Sequence, residues 1–172
     1  LDLAPTSSTT SVMAFGDALA VTLLQAKGFT KDDFAKSHPA GKLGKALTLL
    51  VSDVMHSGVD MPKVSSQDLL SNALLEITNK NLGMTLVEEN NKIVGIFTDG
   101  DLRRCIGNKV DINQIVIKDV MTPNFKSIES KDLAIDAAKV MEDNKIFTLV
   151  VFKSDKAIGV LSMHDLLQSG IV

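Results

Sequence analysis

The sequence predicts a mixed α/β (α+β) chain: two βαββα repeats forming a pseudo-twofold pair, with a helical segment ahead of them. Three observations predict it. SDVM at 52–55 returns as KDVM at 118–121. GIFTDGDLRR, from Gly95, returns 64 residues later as GVLSMHDLLQ, from Gly159. Between these anchors both copies carry a helix-spaced apolar pattern followed by two short apolar runs.

The first fifty residues stand apart from the repeats. Thr9, Thr10 or Ser11 is placed to cap a helix running to about Lys27, with Gly28 as its stop. Val12, Met13, Phe15, Leu19, Val21, Leu23 and Leu24 leave that helix almost no polar face, so it belongs in the interior of a domain. Nothing else in the chain is left over to bury it. The chain opens at Leu1 rather than Met, and the expectation is a piece of something longer.

Each repeat then reads the same way. Leu69, Leu70, Ala73, Leu74 and Ile77 recur at helical spacing, as do Leu133, Ala137, Val140 and Met141. Asp68 and Asp132 stand where an N-cap would. MTLV and IVGIF flank a polar turn at Glu89–Lys92, and TLVVF and AIGVL flank one at Lys153–Lys156, which predicts two hairpins. A last helix begins near Asp101 or Asp165. Each sheet is too small to cover its own apolar face, so the copies are expected to pack on each other.

Composition narrows the function classes. The chain is 45% apolar and 23% charged, ordinary values for a globular protein. A net charge of −3, scattered basic residues and no Tyr or Trp argue against nucleic-acid binding. Cys105 is the single cysteine, which leaves no disulfide framework and fits a reducing cytosol. His56 and His164 have no ligand-like spacing with His38, so no metal and no cofactor is assigned. No apolar run approaches the ~18 residues of a membrane span, and no signal peptide is visible.

The chemistry-bearing pattern is Gly, two apolar residues, Thr or Ser, two residues, Asp. It occurs as Gly95–Thr98–Asp101 and as Gly159–Ser162–Asp165. One reading is a capped helix. The other is a ligand site, because a carboxylate there can accept from the two hydroxyls of a ribose, and the hydroxyl can reach a phosphate or sugar oxygen. Arg103 and Arg104 follow the first copy, whereas Leu167 and Gln168 follow the second. The first copy is therefore the better candidate for an anionic ligand.

On these residues the pair resembles tandem CBS domains. The resemblance implies contacts to ribose and phosphate of an adenosine-type nucleotide by Thr98 and Asp101 in one cleft, and by Ser162 and Asp165 in the other; Arg103 joins the first as a nucleotide-binding candidate on its charge. A wider ordered set, APTSSTTSVMAFGDALAV, FAKSHPAGKLGKAL, DVMHSG, GIFTDGDLRR and MHDLLQSGI, resembles the carboxy-terminal half of the D-arabinose 5-phosphate isomerases. Those enzymes join a sugar-isomerase (SIS) domain to a CBS pair. The resemblance implies three segments: 1–50 as the end of an SIS domain, 51–114 as a first CBS domain and 115–172 as a second.

It also implies that His38, in SHPAG, is catalytic, helping to open the sugar ring or moving protons between oxygens while ribulose 5-phosphate and arabinose 5-phosphate interconvert through an enediol. Ala40 stands where that family more commonly has Gly. The family's phosphate-cradling loops and its acid/base Glu and Lys fall before Leu1, so the fragment alone is expected to be inactive. The implied partners are a nucleotide in the CBS clefts, a sugar phosphate in the SIS domain and further copies in a dimer or tetramer, all in the cytoplasm. The implied pathway is Kdo and lipopolysaccharide synthesis, with CMP-Kdo as a feedback candidate. The rival readings are a purely structural oligomerisation module, and a paralogous isomerase of capsule or sugar-alcohol metabolism.

Overall fold

The computed structural model describes residues 5–30, 33–34, 37 and 41–171. Helix α1 spans Thr6–Ala26 and ends through Lys27, with Gly28 at φ +62° and the Phe29 N–H returning to Leu24 O at 3.0 Å. That is the expected glycine stop. The start differs from the expectation. Thr9, Thr10 and Ser11 lie inside the helix, and their hydroxyls donate to the carbonyls of Pro5, Thr6 and Ser7 at 2.9–3.0 Å. A hydroxyl that bonds back to its own helix cannot also cap it. No residue of α1 is buried, and Phe15, Met13 and Val12 are each at least 70% exposed.

Helices α2 (Lys42–Thr48) and α3 (Val51–Val54) and the short strand β1 (His56–Ser57) lead into the first repeat. That repeat contains β2 (Lys63–Ser65), α4 (Leu70–Lys80), β3 (Met84–Glu89), β4 (Lys92–Thr98) and α5 (Asp99–Gly107). The second contains β5 (Ser127–Glu129), α6 (Ala134–Asn144), β6 (Thr148–Lys153), β7 (Lys156–Ser162) and α7 (Met163–Ser169). Both hairpins form as expected. Asn90 and Asn91 both take positive φ, +51° and +61°, the geometry that matches a two-residue turn to strand twist. Helices α4 and α6 bury Leu70, Ala73 and Ile77, and Ala134, Ala137 and Met141, and each ends at a left-handed residue, Asn81 or Lys145.

Asp68 and Asp132 do not cap those helices. The cap positions are Leu69 and Leu133, and the carboxylates instead accept from the N–H groups of Ser65 (2.8 Å) and Glu129 (3.2 Å). Each Asp closes the turn that leaves the preceding strand, where its short side chain mimics a backbone turn.

The connectivity is exchanged between repeats. β1, which precedes the first repeat, pairs antiparallel with β7 of the second, so one sheet runs β1-β7-β6-β5 and the other β2-β3-β4. Reciprocally, Thr122, just ahead of the second repeat, bridges Ile96 of β4 in the first. The same crossing recurs one turn earlier: Val51 N–H donates to Asp132 O and Ile117 N–H to Asp68 O, both at 2.9 Å. Val51 is accordingly buried in the core of the second repeat and Ile117 in that of the first. A third apolar cluster joins Met84 and Leu86 to Val150 and Val160 across the two sheets. The copies therefore pack face to face, as the uncovered sheet faces require.

Glycine is needed where the leaders cross. A Cβ on Gly95 would lie 2.6 Å from Met121 Sδ and 3.1 Å from Thr122 O; on Gly159 it would lie 2.7 Å from Met55 Sδ and 2.8 Å from His56 O. The Met of each DVM stretch thus lies against the other repeat's glycine.

Candidate functional site

Strand β4 delivers Thr98 to the start of α5, where it forms a complete capping box with Asp101. Thr98 Oγ1 accepts from Asp101 N–H (3.3 Å), while Asp101 Oδ2 accepts from Thr98 N–H (2.9 Å) and from the Thr98 hydroxyl (2.7 Å). The other carboxylate oxygen, Oδ1, accepts from Thr122 Oγ1 at 2.8 Å and from the Arg104 guanidinium. Burial pushes the Asp101 carboxyl up, but the hydrogen bonds from Thr98, Thr122 and Arg104 outweigh it and hold the group below its ordinary value.

Beside this box opens a cleft of about 720 Å³, within the range of small-molecule sites. One wall comes from the first repeat: Leu82, Gly83, Ile96, Thr98–Asp101, Arg103 and Arg104. The other comes from Thr122 and residues 124–126 and 144–148, which include Phe125, Lys126, Lys145 and Phe147. Four cationic side chains, Arg103, Arg104, Lys126 and Lys145, face two carboxylates, Asp99 and Asp101. A second depression, about 560 Å³, runs along Lys63–Asp68 and Glu88–Asn91, but it includes neither capping box. The Thr98–Asp101 box borders the first.

Ser162 and Asp165 form the same box at the start of α7, with Asp165 Oδ2 accepting from Ser162 N–H (2.9 Å) and Oγ–H (2.5 Å). Here Oδ1 meets His56 Nε2 at 3.0 Å. Burial again raises the carboxyl and the hydrogen bonds of Ser162 and His56 overcome it, so Asp165 also sits low. His56 and Thr122 each follow a DVM stretch, so they are equivalent positions carrying different chemistry.

Of the expected site residues, Thr98, Asp101 and Arg103 meet in the cleft, and Ser162 and Asp165 meet in the second box. His38 lies outside the described residues. Among the described residues no three His, Cys, Asp or Glu side chains are grouped to hold a metal ion. The sequence reading missed Thr122, Lys126, Lys145 and Phe147. For Thr122 a signal existed, its fixed place after DVM. For the lysines none did, because they reach the cleft from the other repeat.

The chain matches the CBS domain family model at residues 51–108 and 117–170. It is 52% identical over 174 residues to the arabinose 5-phosphate isomerase KdsD of Pseudomonas aeruginosa and 51% identical over 173 to that of Escherichia coli K12. In both cases all of this chain and 53% of the relative are covered, so the chain spans about half the length of the curated relatives it matches. Among solved structures, it is similar to a CBS-domain protein of Agrobacterium tumefaciens (TM-score 0.63, 17% identity, 70% of this chain and 92% of that one). It is also similar to CBSX2 in complex with AMP (TM-score 0.61, 23% identity, 72% and 97%).

Proposed function

The chain belongs to the CBS-domain family, and from that premise we propose that it is the regulatory half of a D-arabinose 5-phosphate isomerase whose CBS pair binds a nucleotide. The cleft beside Thr98 and Asp101 carries the nucleotide reading. It has the volume for a nucleotide, a carboxylate at a helix start whose Oδ1 would pass from the exposed Arg104 side chain to a ribose hydroxyl, and cations for phosphate. Arg103 supplies a phosphate contact, and Ser162 and Asp165 are the corresponding groups of a second crevice. One solved member of the fold is in complex with AMP. An adenosine nucleotide or CMP-Kdo is the proposed ligand class.

The isomerase reading rests on identity of 50% or more to the curated isomerases along the whole chain. In the full-length protein, residues 1–50 complete an SIS domain, which gives the exposed apolar face of α1 its cover. His38 contributes to moving protons between the sugar oxygens during interconversion of ribulose 5-phosphate and arabinose 5-phosphate. The product feeds Kdo and lipopolysaccharide synthesis in the cytoplasm. No helix among the described residues is long and apolar enough to cross a membrane.

Calorimetric titration with AMP, ATP and CMP-Kdo tests the nucleotide reading; flat heats for all three would remove it. Assay of the full-length protein on ribulose 5-phosphate tests the reaction. The structural alternative has its own support, because both capping boxes are complete without a ligand. Asp101→Ala separates the two readings: a purely structural role predicts lost stability with unchanged binding.

A further inference from the structure

The two repeats align in sequence, but the positions around their carboxylates are cationic in one half and neutral in the other. Around Asp101 stand Arg103, Lys126 and Lys145. The repeat places Leu167, Pro62 and Asn81 at the corresponding positions of the second half, with Pro62 O accepting from Leu86 N–H as Lys126 O accepts from Val150 N–H. Asp101 takes its exchanged contact from a neutral hydroxyl, Thr122, whereas Asp165 takes it from the imidazole of His56, a larger side chain 3.0 Å from Oδ1. Lys80, the nearby cation of the first repeat, has its ammonium bound to Val59 O.

We infer that the module is asymmetric and holds one polyanionic ligand per chain. Its phosphates sit in the Asp101 cleft between Arg103 of the first repeat and Lys126 and Lys145 of the second, and the Asp165 crevice is closed by His56. This deepens the nucleotide reading and rests on it for the nucleoside half of the ligand.

The physical argument is electrostatic focusing. Cations from two repeats converge on one partly enclosed cleft, where the four of them outnumber the carboxylates of Asp99 and Asp101, so an entering anion is attracted from both walls at once. Oligophosphate recognition needs several such donors at once. At the second carboxylate the same ligand would meet the carboxylate of Asp165 with Leu167, Pro62 and Asn81, and no Arg or Lys, in the equivalent positions.

The test is calorimetric titration of the chain with three probes: ATP, adenosine and inorganic tripolyphosphate. One ATP per chain is expected, with tripolyphosphate occupying the same single site in competition. Lys145→Asn and Arg103→Leu install the residues of the second half, and Asn suits the left-handed backbone at 145. Each is expected to weaken ATP and tripolyphosphate by about tenfold or more, as loss of a charged hydrogen bond does, and to leave adenosine unchanged. A thermal melt of each variant confirms folding.

Two ATP per chain, or wild-type affinity in both variants, would overturn the inference while leaving the nucleotide reading intact. One bound tripolyphosphate with no gain for ATP would keep the anion site and remove the nucleoside. Silence from all three probes would overturn the inference, and flat heats with CMP-Kdo as well would overturn the nucleotide reading.

Discussion

His56 Nε2 lies 3.0 Å from Asp165 Oδ1, a contact that spans 109 residues of sequence and ties the leader of one repeat to the helix start of the other. Thr122 and Asp101 make the matching contact at 2.8 Å. These two bonds link the repeats, and the same two carboxylates cap α5 and α7. Stability, repeat pairing and the candidate site therefore meet at the same atoms.

Asp101→Ala is expected to cost at least ~1 kcal/mol, the usual loss for a helix cap. It also strands the Thr122 hydroxyl and releases the Arg104 guanidinium into the cleft. Urea unfolding measures the stability, and nucleotide titration on the same protein measures the binding. A fully stable variant would show that the capping box is not needed.

Acid stability follows from the sign of the carboxyl shifts. Asp101 and Asp165 are both lowered from 3.8 in the folded chain. Each contributes stability that is fully present above the unfolded value and is lost as pH falls through the lower folded value. The stability gap between wild type and Asp165→Asn is therefore expected to be full at pH values well above 4 and to shrink progressively as pH falls below about 4. A gap of equal size at pH 7 and pH 3 would contradict this account of Asp165.

Adding a methyl group at the two crossing glycines should have unequal effects. Gly95→Ala presses mainly on the flexible Met121 side chain, at 2.6 Å, whereas Gly159→Ala also presses on a backbone carbonyl, His56 O, at 2.8 Å. Overpacking of this kind costs roughly 1–3 kcal/mol, with Gly159→Ala the more destabilising. Met121→Ala should relieve most of the Gly95→Ala defect, whereas Met55→Ala should relieve a smaller part of that of Gly159→Ala, because the contact with His56 O remains. A thermodynamic double-mutant cycle measures both.

The repeats should not fold when cut between them. Residues 51–114 would lack Ile117, which is fully buried in the first core, and would carry an unpartnered Val51, which belongs to the second. That fragment is expected to give a broad, non-cooperative urea transition and a poorly dispersed amide spectrum. Residues 51–171 should unfold in one step, and Leu86→Ala, at the joint between the sheets, should lower that step by about 2–5 kcal/mol.

Much of this architecture was legible in the sequence. The helices declared themselves through apolar residues three and four apart, as at Leu70, Ala73 and Ile77, and the hairpins through apolar runs around polar turns. The boxes at Thr98–Asp101 and Ser162–Asp165 were legible because a cap is built from residues three apart. The hydroxyls of Thr9, Thr10 and Ser11 misled, since the same side chain can cap a helix or bond back within it. Asp68 and Asp132 misled in a similar way, because a turn and a helix start compete for one carboxylate.

By itself the sequence determined the repeat, the local elements and the acidic helix starts, since each depends on residues within a few positions of one another. Tertiary structure alone decided that the leaders exchange, that His56 meets Asp165, and that Lys126 and Lys145 stand opposite Arg103. No local preference separates pairing with one's own repeat from pairing with its copy, because both offer the same hydrogen bonds. The choice is made by burial summed over the whole pair, where Val51 and Ile117 each fill the other repeat's core.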